Sequence, residues 1–269
     1  MNIKKNNEIL KSSLNKQGIL RLTLCCLHNH NALSEEMMFN IQSALDETLN
    51  DERIRVIIIS ADGPTFSAGH DLKELTQGRK NLDKGREYFK ETMTKCSRLM
   101  QTIVNNPKPV IAEVAGIATA AGCQLVASCD LAYASKSAKF STPGVNIGLF
   151  CSTPMVAVSR SISNKHSMEM LLSGELVSAD KAEKIGLINK SIEDSLLKKH
   201  TLDMAIKISK KSSLTLKIGK EAFYKQINMT LSEAYDYASN VMVENMLKFD
   251  AEEGIKAFIE KRKPNWQDK

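Results

Sequence analysis

Residues 110–130 of the chain read VIAEVAGIATAAGCQLVASCD. The apolar run at 110–114 predicts a buried strand, small residues fill 118–122, and an apolar helical pattern begins near Cys123 and ends near Asp130. A strand that turns through small residues into a helix leaves backbone N–H groups without internal acceptors, and the helix dipole favours negative charge there. The stretch therefore fits an oxyanion hole, although small residues would also serve tight helix–strand packing alone.

Outward from this stretch, predicted strands alternate with predicted helices, which indicates an α/β fold with a parallel-sheet core. A second small-residue loop at 66–72 follows the apolar strand at 56–60, and a third loop covers 143–148. Ser34, Asp71 and Ser178 are predicted helix N-caps. The remaining strands are predicted at 18–24, 131–134, 138–141 and 187–189, and the remaining helices at 34–50, up to 105, 153–161, 165–172 and through most of 195–262.

The composition excludes several classes of protein. The net charge of +6 is scattered over 269 residues, which does not favour nucleic acid but suits a small phosphate-bearing ligand. Six cysteines without a CxxC pair predict reduced, buried thiols and no metal site. No apolar run is long enough to span a membrane. Residues 1–16 lack an apolar segment and arginine, so we expect a disordered lead-in or edge strand and a cytoplasmic protein, or a mitochondrial matrix protein in a eukaryote.

Several motifs follow one another along nearly the whole chain. The motifs are Asn31-Ala32-Leu33-Ser34, Phe66-Ser67-Ala68-Gly69-His70-Asp71-Leu72-Lys73-Glu74, Ala115-Gly116 to Asp130, Phe140-Ser141-Thr142-Pro143 with Gly148, Gly174 with Ala179 and Ala182, Gly186-Leu187, and Phe258-Ile259-Glu260-Lys261-Arg262-Lys263-Pro264. In this order they resemble the crotonase (enoyl-CoA hydratase/isomerase) superfamily. The Gly-His-Asp and Gly-Cys-Gln versions of two motifs are similar to its mitochondrial enoyl-CoA hydratase domain-containing branch.

The resemblance implies a spiral of ββα units at 1–195 and a C-terminal helical region at 196–269 that trimerises and contacts coenzyme A. It implies a homotrimer or a dimer of trimers that binds an acyl-CoA thioester, with no cofactor beyond the CoA of the substrate. The oxyanion-hole amides would be those of His70 and Ala121. By the same resemblance, CoA and substrate would contact Ala68, Gly69, Asp71, Leu72, Gly122, Phe258 and Lys261.

The chain departs from the family pattern at its acids. The two glutamates of family hydratases align with Gln124 and Gly144, and neither residue transfers a proton at neutral pH. General acid–base catalysis supplies about 10²- to 10⁴-fold per group, so we expect slow hydration. A later position that carries a carboxylate in family isomerases aligns near Ser152.

Three side chains are alternative acid–base or nucleophilic groups. These are His70, Glu74 and Cys151. A simpler interpretation exists for each: the His70 ring packs or faces solvent, Glu74 lies on a solvated helix face, and Cys151 is a buried structural thiol. Asp130, Cys123 and Cys129 are expected to be structural. A crotonase-type lyase or isomerase with a nonstandard apparatus and a non-catalytic acyl-CoA-binding or regulatory protein both remain open. A peptidase on the related spiral fold is disfavoured because no ordered Ser/His/Asp set is present.

Overall fold

The computed structural model of the chain describes the backbone of residues 3–6 and all of residues 9–269. The strands are β1 Ile3–Asn6, β2 Leu10–Leu14, β3 Ile19–Leu24, β4 Val56–Ala61, β5 Thr65–Ser67, β6 Val110–Val114, β7 Ile117–Thr119, β8 Leu131–Ser135, β9 Lys139–Ser141, β10 Val177–Ser178 and β11 Lys190–Ile192. The helices are α1 Glu35–Thr48, α2 Leu72–Gly78, α3 Arg86–Asn105, α4 Ala121–Ser128, α5 Ser152–Ser161, α6 Asn164–Ser173, α7 Ala179–Ile185, α8 Leu197–Ser209, α9 Ser213–Gln226, α10 Leu231–Met246 and α11 Phe249–Ile259.

Two sheets form the centre of the fold. The larger has the order β1-β2-β3-β4-β6-β8-β11, in which β3 to β11 run parallel and β1 and β2 pair antiparallel at one edge. The smaller has the order β10-β9-β7-β5. Each repeat places one strand in each sheet and then enters a helix: β4 and β5 precede α2, and β6 and β7 precede α4. This is the predicted α/β spiral of ββα units.

The parallel strands are buried on both faces, as their continuous apolar sequences predict. Residues 56–60 of β4 and 110–114 of β6 are all buried. One face packs on the main core with α1, α3 and α4, whose buried side chains include Ile41, Leu99 and Leu125. The other face packs on α8 through Leu197 and Ala205. The division at residues 195 and 196 stays a prediction, and α8, which follows it directly, lies against the sheet.

Helix starts follow the local capping signals. The side chains of Ser34, Asp71 and Ser178 accept hydrogen bonds from backbone N–H groups at the starts of α1, α2 and α7, as predicted. The edge-strand prediction for the N-terminus is confirmed at β1, which lies at the edge of the larger sheet and pairs with β2, whereas residues 1, 2, 7 and 8 lie outside the described residues.

Two predicted elements are wrong in position. The strand expected at 187–189 is β11 at Lys190–Ile192, because Leu187 and Ile188 insert into the core and the Asn189 side chain accepts the Ala132 N–H at 2.8 Å just before pairing begins. The central helix runs over Ala121–Ser128 instead of 123–130, because residues 117–119 pair as β7 and shorten the turn before it.

The C-terminal tail folds back along α11. The buried Asp250 carboxylate accepts the backbone N–H groups of Gln267 and Asp268 at 2.7 and 3.0 Å. The Trp266 indole donates to the Lys210 carbonyl at 2.9 Å. These contacts hold the tail against the end of α8, while α10 and α11 expose large apolar side chains such as Leu231 and Phe258.

Candidate functional site

Two loops that are far apart in sequence meet at Gly69. A side-chain carbon built on Gly69 would lie 2.8 Å from the Ala120 Cβ and 3.1 Å from the Ala121 amide nitrogen. Gly69 also has a φ of +86°, which L side chains rarely adopt. Only glycine fits here, and the absent side chain brings the backbone of residues 69 and 70 against the first residue of α4.

The start of α4 leaves amides unused. Ala121 is the first residue of the helix, so its N–H has no intrahelical acceptor. Within residues 9–269 neither the His70 amide nor the Ala121 amide donates a hydrogen bond. Ala120, the residue before Ala121, has φ 50° and ψ −121°, a backbone conformation that costs an L residue about 1–3 kcal/mol. A strained residue thus orients an unsatisfied amide at a helix N-terminus, where negative charge is favoured.

The His70 imidazole is enclosed. Both ring nitrogens are buried and lack a hydrogen-bond partner in the described part of the chain. Burial lowers the pKa of His70, and a nearby backbone group of Leu33 opposes the shift without reaching hydrogen-bond geometry. The ring is therefore neutral at pH 7, and its two nitrogens are shielded from solvent, whereas the residue as a whole is partly exposed.

Gln124 lies one helical turn beyond Ala121 on α4 and is only 4% exposed. The Cys96 thiol donates to its side-chain oxygen at 3.9 Å, and burial raises the pKa of that thiol to about 12, so the proton stays on sulfur. Gln124 lines a cavity of ≈ 1260 Å³ between α3, α4, α5 and α9. Apolar and small side chains such as Met100, Val104 and Ala127 form part of its wall.

Gly144 is closely packed against Cys151. The Gly144 N–H donates to the Cys151 sulfur at 3.3 Å. A Cβ on Gly144 would lie 2.9 Å from that sulfur and 2.8 Å from the Leu149 carbonyl oxygen, both closer than real Cβ contacts. Burial raises the pKa of the Cys151 thiol, and no described base lies in contact with it. The thiol therefore fills the space that a side chain at position 144 would need.

Glu74 and Asp130 have structural contacts. The Glu74 carboxylate accepts the Glu35 N–H at 3.0 Å, at the start of α1, and burial raises the pKa of Glu74. Asp130 accepts the Val110 N–H at 2.7 Å and pairs with Lys220 of α9 at 2.7 Å. Burial raises the pKa of Asp130 and lowers that of Lys220, while their mutual attraction opposes both shifts. This pair fastens the C-terminal helices to the core.

The other predicted contacts divide into two groups. Ala68, Asp71 and Leu72 lie in the His70 loop, where Asp71 caps α2 and Leu72 is exposed. A Cβ on Gly122 would lie 2.3 Å from the Ser67 carbonyl oxygen, which fixes this turn of α4 against β5.

Phe258 and Lys261 form the second group. Both are exposed at the end of α11, and Phe258 is 85% exposed. No hydrogen bond or ion pair in the described part of the chain joins them to the His70 loop. The structure therefore brings together the predicted residues of the two loops and leaves these two apart.

The close contact at Gly69 brings the His70 loop against the start of α4, and Gln124, one turn along that helix, lines the neighbouring cavity. A family model described as Enoyl-CoA hydratase/isomerase matches residues 15–269. The chain belongs to the enoyl-CoA hydratase/isomerase family, as the motif resemblance predicts.

Similar proteins share this architecture. The mouse protein "Enoyl-CoA hydratase domain-containing protein 3, mitochondrial" is 48% identical over 257 residues, which cover 96% of this chain and 84% of that protein. A crystal structure of the human protein of that name is 45% identical with a TM-score of 0.91 and covers 96% of this chain and all of that chain (100%). A Mycobacterium smegmatis enoyl-CoA hydratase structure is 43% identical with a TM-score of 0.92, over 97% of this chain and 99% of its own.

Sequence reasoning missed the contacts that join distant residues. Cys96 was not a candidate, although it binds the Gln124 side chain, and Cys151 was considered for its reactivity and not for the space it fills. The Lys220–Asp130 pair spans 90 residues and has no local signal. The small residues at 66–72 and 118–122 were the usable signal, because they mark where the backbone is closely approached.

Proposed function

We propose that the protein binds acyl-CoA thioesters and holds the thioester oxygen between the amides of His70 and Ala121. The observation that carries this proposal is the contact at Gly69, which sets the two loops so close that a Cβ would lie 3.1 Å from the Ala121 nitrogen. Two such donors would stabilise the negative charge of an enolate more than the neutral carbonyl. Ala68, Gly69, Asp71, Leu72 and Gly122 would surround the substrate in these loops.

Hydration of an enoyl-CoA by this site would be slow. Gln124 and Gly144 stand where family hydratases carry glutamates, and neither accepts a proton. The protein would be an acyl-CoA lyase or isomerase with weak or nonstandard acid–base chemistry. Glu74 is held at the start of α1, which does not support it as a base. The neutral His70 ring can accept a proton, although both of its nitrogens are buried in the free protein.

A non-catalytic acyl-CoA-binding or regulatory protein is the second candidate. The observation that favours it is the Cys151 thiol, which lies against Gly144 and closes the space for an acid there. Both candidates predict thioester binding. A panel of acyl-CoAs followed by mass spectrometry separates them, because only the first converts any of them.

The exposed apolar side chains of α10 and α11 support a homotrimer or dimer of trimers. Leu231, Tyr235, Leu247, Phe258 and Ile259 are each at least 69% exposed, which is unusual for a free surface. Because Phe258 and Lys261 are not fastened to the site of their own chain, we place them at the CoA of a neighbouring copy. The similar mouse and human proteins are mitochondrial by name, which favours a mitochondrial location, and we propose the matrix. No helix in the described residues is long and apolar enough to cross a membrane.

Replacing Ala121 by proline tests the oxyanion hole. Proline is tolerated at the first position of a helix, and Ala121→Pro replaces the N–H by a ring carbon that also blocks the ligand oxygen; thermal unfolding checks that the variant folds, because Gly69 lies close to this nitrogen. One lost hydrogen bond of about 0.5–1.5 kcal/mol corresponds to about twofold to tenfold weaker thioester binding, and the blocked oxygen weakens it further. The measurement is the dissociation constant of butyryl-CoA by calorimetry.

A second proline variant is the control. Asn164→Pro places proline at the first position of α6, which is exposed and away from the site, and should leave binding unchanged. Unchanged butyryl-CoA binding by a folded Ala121→Pro variant would show that this amide does not contact the ligand.

A further inference from the structure

The side-chain oxygen of Gln124 has a hydrogen-bond partner, and its side-chain nitrogen has none in the described residues. Its oxygen accepts the Cys96 thiol at 3.9 Å, whereas its nitrogen makes no hydrogen bond within the described part of the chain. The side chain is nearly fully buried and lines the ≈ 1260 Å³ cavity. The nitrogen is not among the buried unpaired side-chain atoms of the described residues, so it is accessible from the cavity, where a ligand acceptor can reach it.

The orientation of the amide follows from the thiol. A neutral thiol is an S–H donor and only a weak acceptor, so it directs the carbonyl half of Gln124 toward α3. The NH₂ half then faces the cavity. A carboxylate at this position would offer acceptors only, whereas Gln124 offers a donor. The preferred ligand group at this point is therefore an acceptor without a proton to give.

Helix geometry sets which ligand atom reaches Gln124. Residues three apart on a helix have Cβ atoms about 5–6 Å apart on one face, so Gln124 lies beside Ala121 along α4. A thioester oxygen on the Ala121 amide places the acyl carbons next to it along this face. A polar group two carbons from the thioester carbonyl would come within reach of the glutamine side chain.

We propose that the site prefers CoA thioesters with a ketone at C3, that is, 3-oxoacyl-CoA compounds. This inference rests on the proposed function, since it assumes the thioester oxygen on the His70 and Ala121 amides. Those amides bind the first carbonyl oxygen and the Gln124 NH₂ group binds the second. A carboxylate at C3 fits less well, because the buried cation of the cavity, Lys220, is already paired with Asp130. Cys96 is a positioning residue that fixes the amide.

Binding of matched thioesters tests the preference. Acetoacetyl-CoA, 3-hydroxybutyryl-CoA, butyryl-CoA and malonyl-CoA are compared by calorimetry. We expect acetoacetyl-CoA to bind about twofold to tenfold more tightly than butyryl-CoA, the range of one net hydrogen bond. In Gln124→Met, which keeps the volume and removes the donor, the two should bind equally. Gln124→Glu should reverse the order of acetoacetyl-CoA and 3-hydroxybutyryl-CoA, because a carboxylate accepts from the hydroxyl.

Cys96 variants test the positioning role. Cys96→Ser keeps a donor and should retain the preference, whereas Cys96→Ala should reduce it without changing butyryl-CoA binding. Thermal unfolding confirms that each variant is folded. Equal binding of acetoacetyl-CoA and butyryl-CoA to the parent protein, tighter malonyl-CoA binding, or a preference that persists in Gln124→Met would each overturn this inference and leave the proposed function standing. Failure of every thioester to bind would instead overturn the proposed function.

Discussion

The packing at Gly144 predicts that restoring an acid there is not a simple substitution. A Cβ at this position would lie 2.8 Å from the Leu149 carbonyl oxygen and 2.9 Å from the Cys151 sulfur, so Gly144→Ala already forces the loop to shift. Overpacking costs about 1–3 kcal/mol, and the lower entropy of the unfolded alanine chain returns about 0.4–1 kcal/mol. The net loss is therefore at most about 2.6 kcal/mol, which lowers the melting temperature by up to about 10 °C, at roughly 2–4 °C per kcal/mol.

Thermal unfolding of matched alanine variants measures this cost. Gly219→Ala is the control, because a Cβ there meets nothing within 4 Å and alanine is the better helix former, so it should be neutral or stabilising. Gly144→Ala with Cys151→Ala should regain part of the loss, since one of the two close contacts is removed. A melting temperature for Gly144→Ala at or above that of Gly219→Ala would refute the steric reasoning.

The same packing governs any gain of hydratase activity. Gln124→Glu with Gly144→Glu should destabilise the protein and hydrate crotonyl-CoA no faster than Gln124→Glu alone, because the loop shift misplaces the second acid. Adding Cys151→Ala should raise the rate by making room. Full hydration by the double variant at parental stability would show that the loop accommodates the acid without the thiol being removed.

Two further predictions concern buried titratable groups. Burial lowers the pKa of His70, so the contribution of the neutral ring to stability is complete above the unfolded pKa of about 6.5 and is lost as the pH falls below that value. The melting temperature of His70→Leu should therefore fall less between pH 7 and pH 5 than that of the parent. An equally steep fall in the variant would contradict this pKa shift. Lys220→Met leaves the Asp130 carboxylate without its cation, which should cost about 3–5 kcal/mol, whereas Lys225→Met in the exposed pair with Glu221 should cost less than about 1 kcal/mol by urea unfolding. Equal losses for the two lysine variants would show that burial does not strengthen the Lys220 pair.

Local signals predicted the elements, and long-range contacts limited their precision. Ser34, Asp71 and Ser178 cap their helices as expected, because capping involves residues only a few positions apart. The strand at 190–192 was misplaced because its register depends on pairing with β8, which lies some 57 residues earlier along the chain. Sequence periodicity does not contain that pairing.

The candidate site was predictable where small residues mark close backbone approach. Gly69 and Gly122 are such positions, and the structure shows what a side chain at each would strike. Side-chain partnerships were not predictable, because Cys96 meets Gln124 only through the packing of α3 on α4. Which group of Gln124 faces the cavity could therefore be argued only from the structure.

The strain at Ala120 helps to separate a binding site from a remnant of the fold. A φ of 50° at a non-glycine residue costs about 1–3 kcal/mol, and although Ala120 itself hydrogen-bonds Ser141 and Gln124, the Ala121 amide that it orients has no acceptor in the described residues. A ligand oxygen at that amide would supply the missing acceptor. The Gln124 NH₂ group, which also has no acceptor, lines the neighbouring cavity. Because Ala121 and Gln124 are three residues apart on α4, these two donors lie along one face of the helix. The proposed site thus offers two hydrogen-bond donors from α4, the Ala121 amide and the Gln124 NH₂ group, which is the reason to expect a ligand with two acceptors.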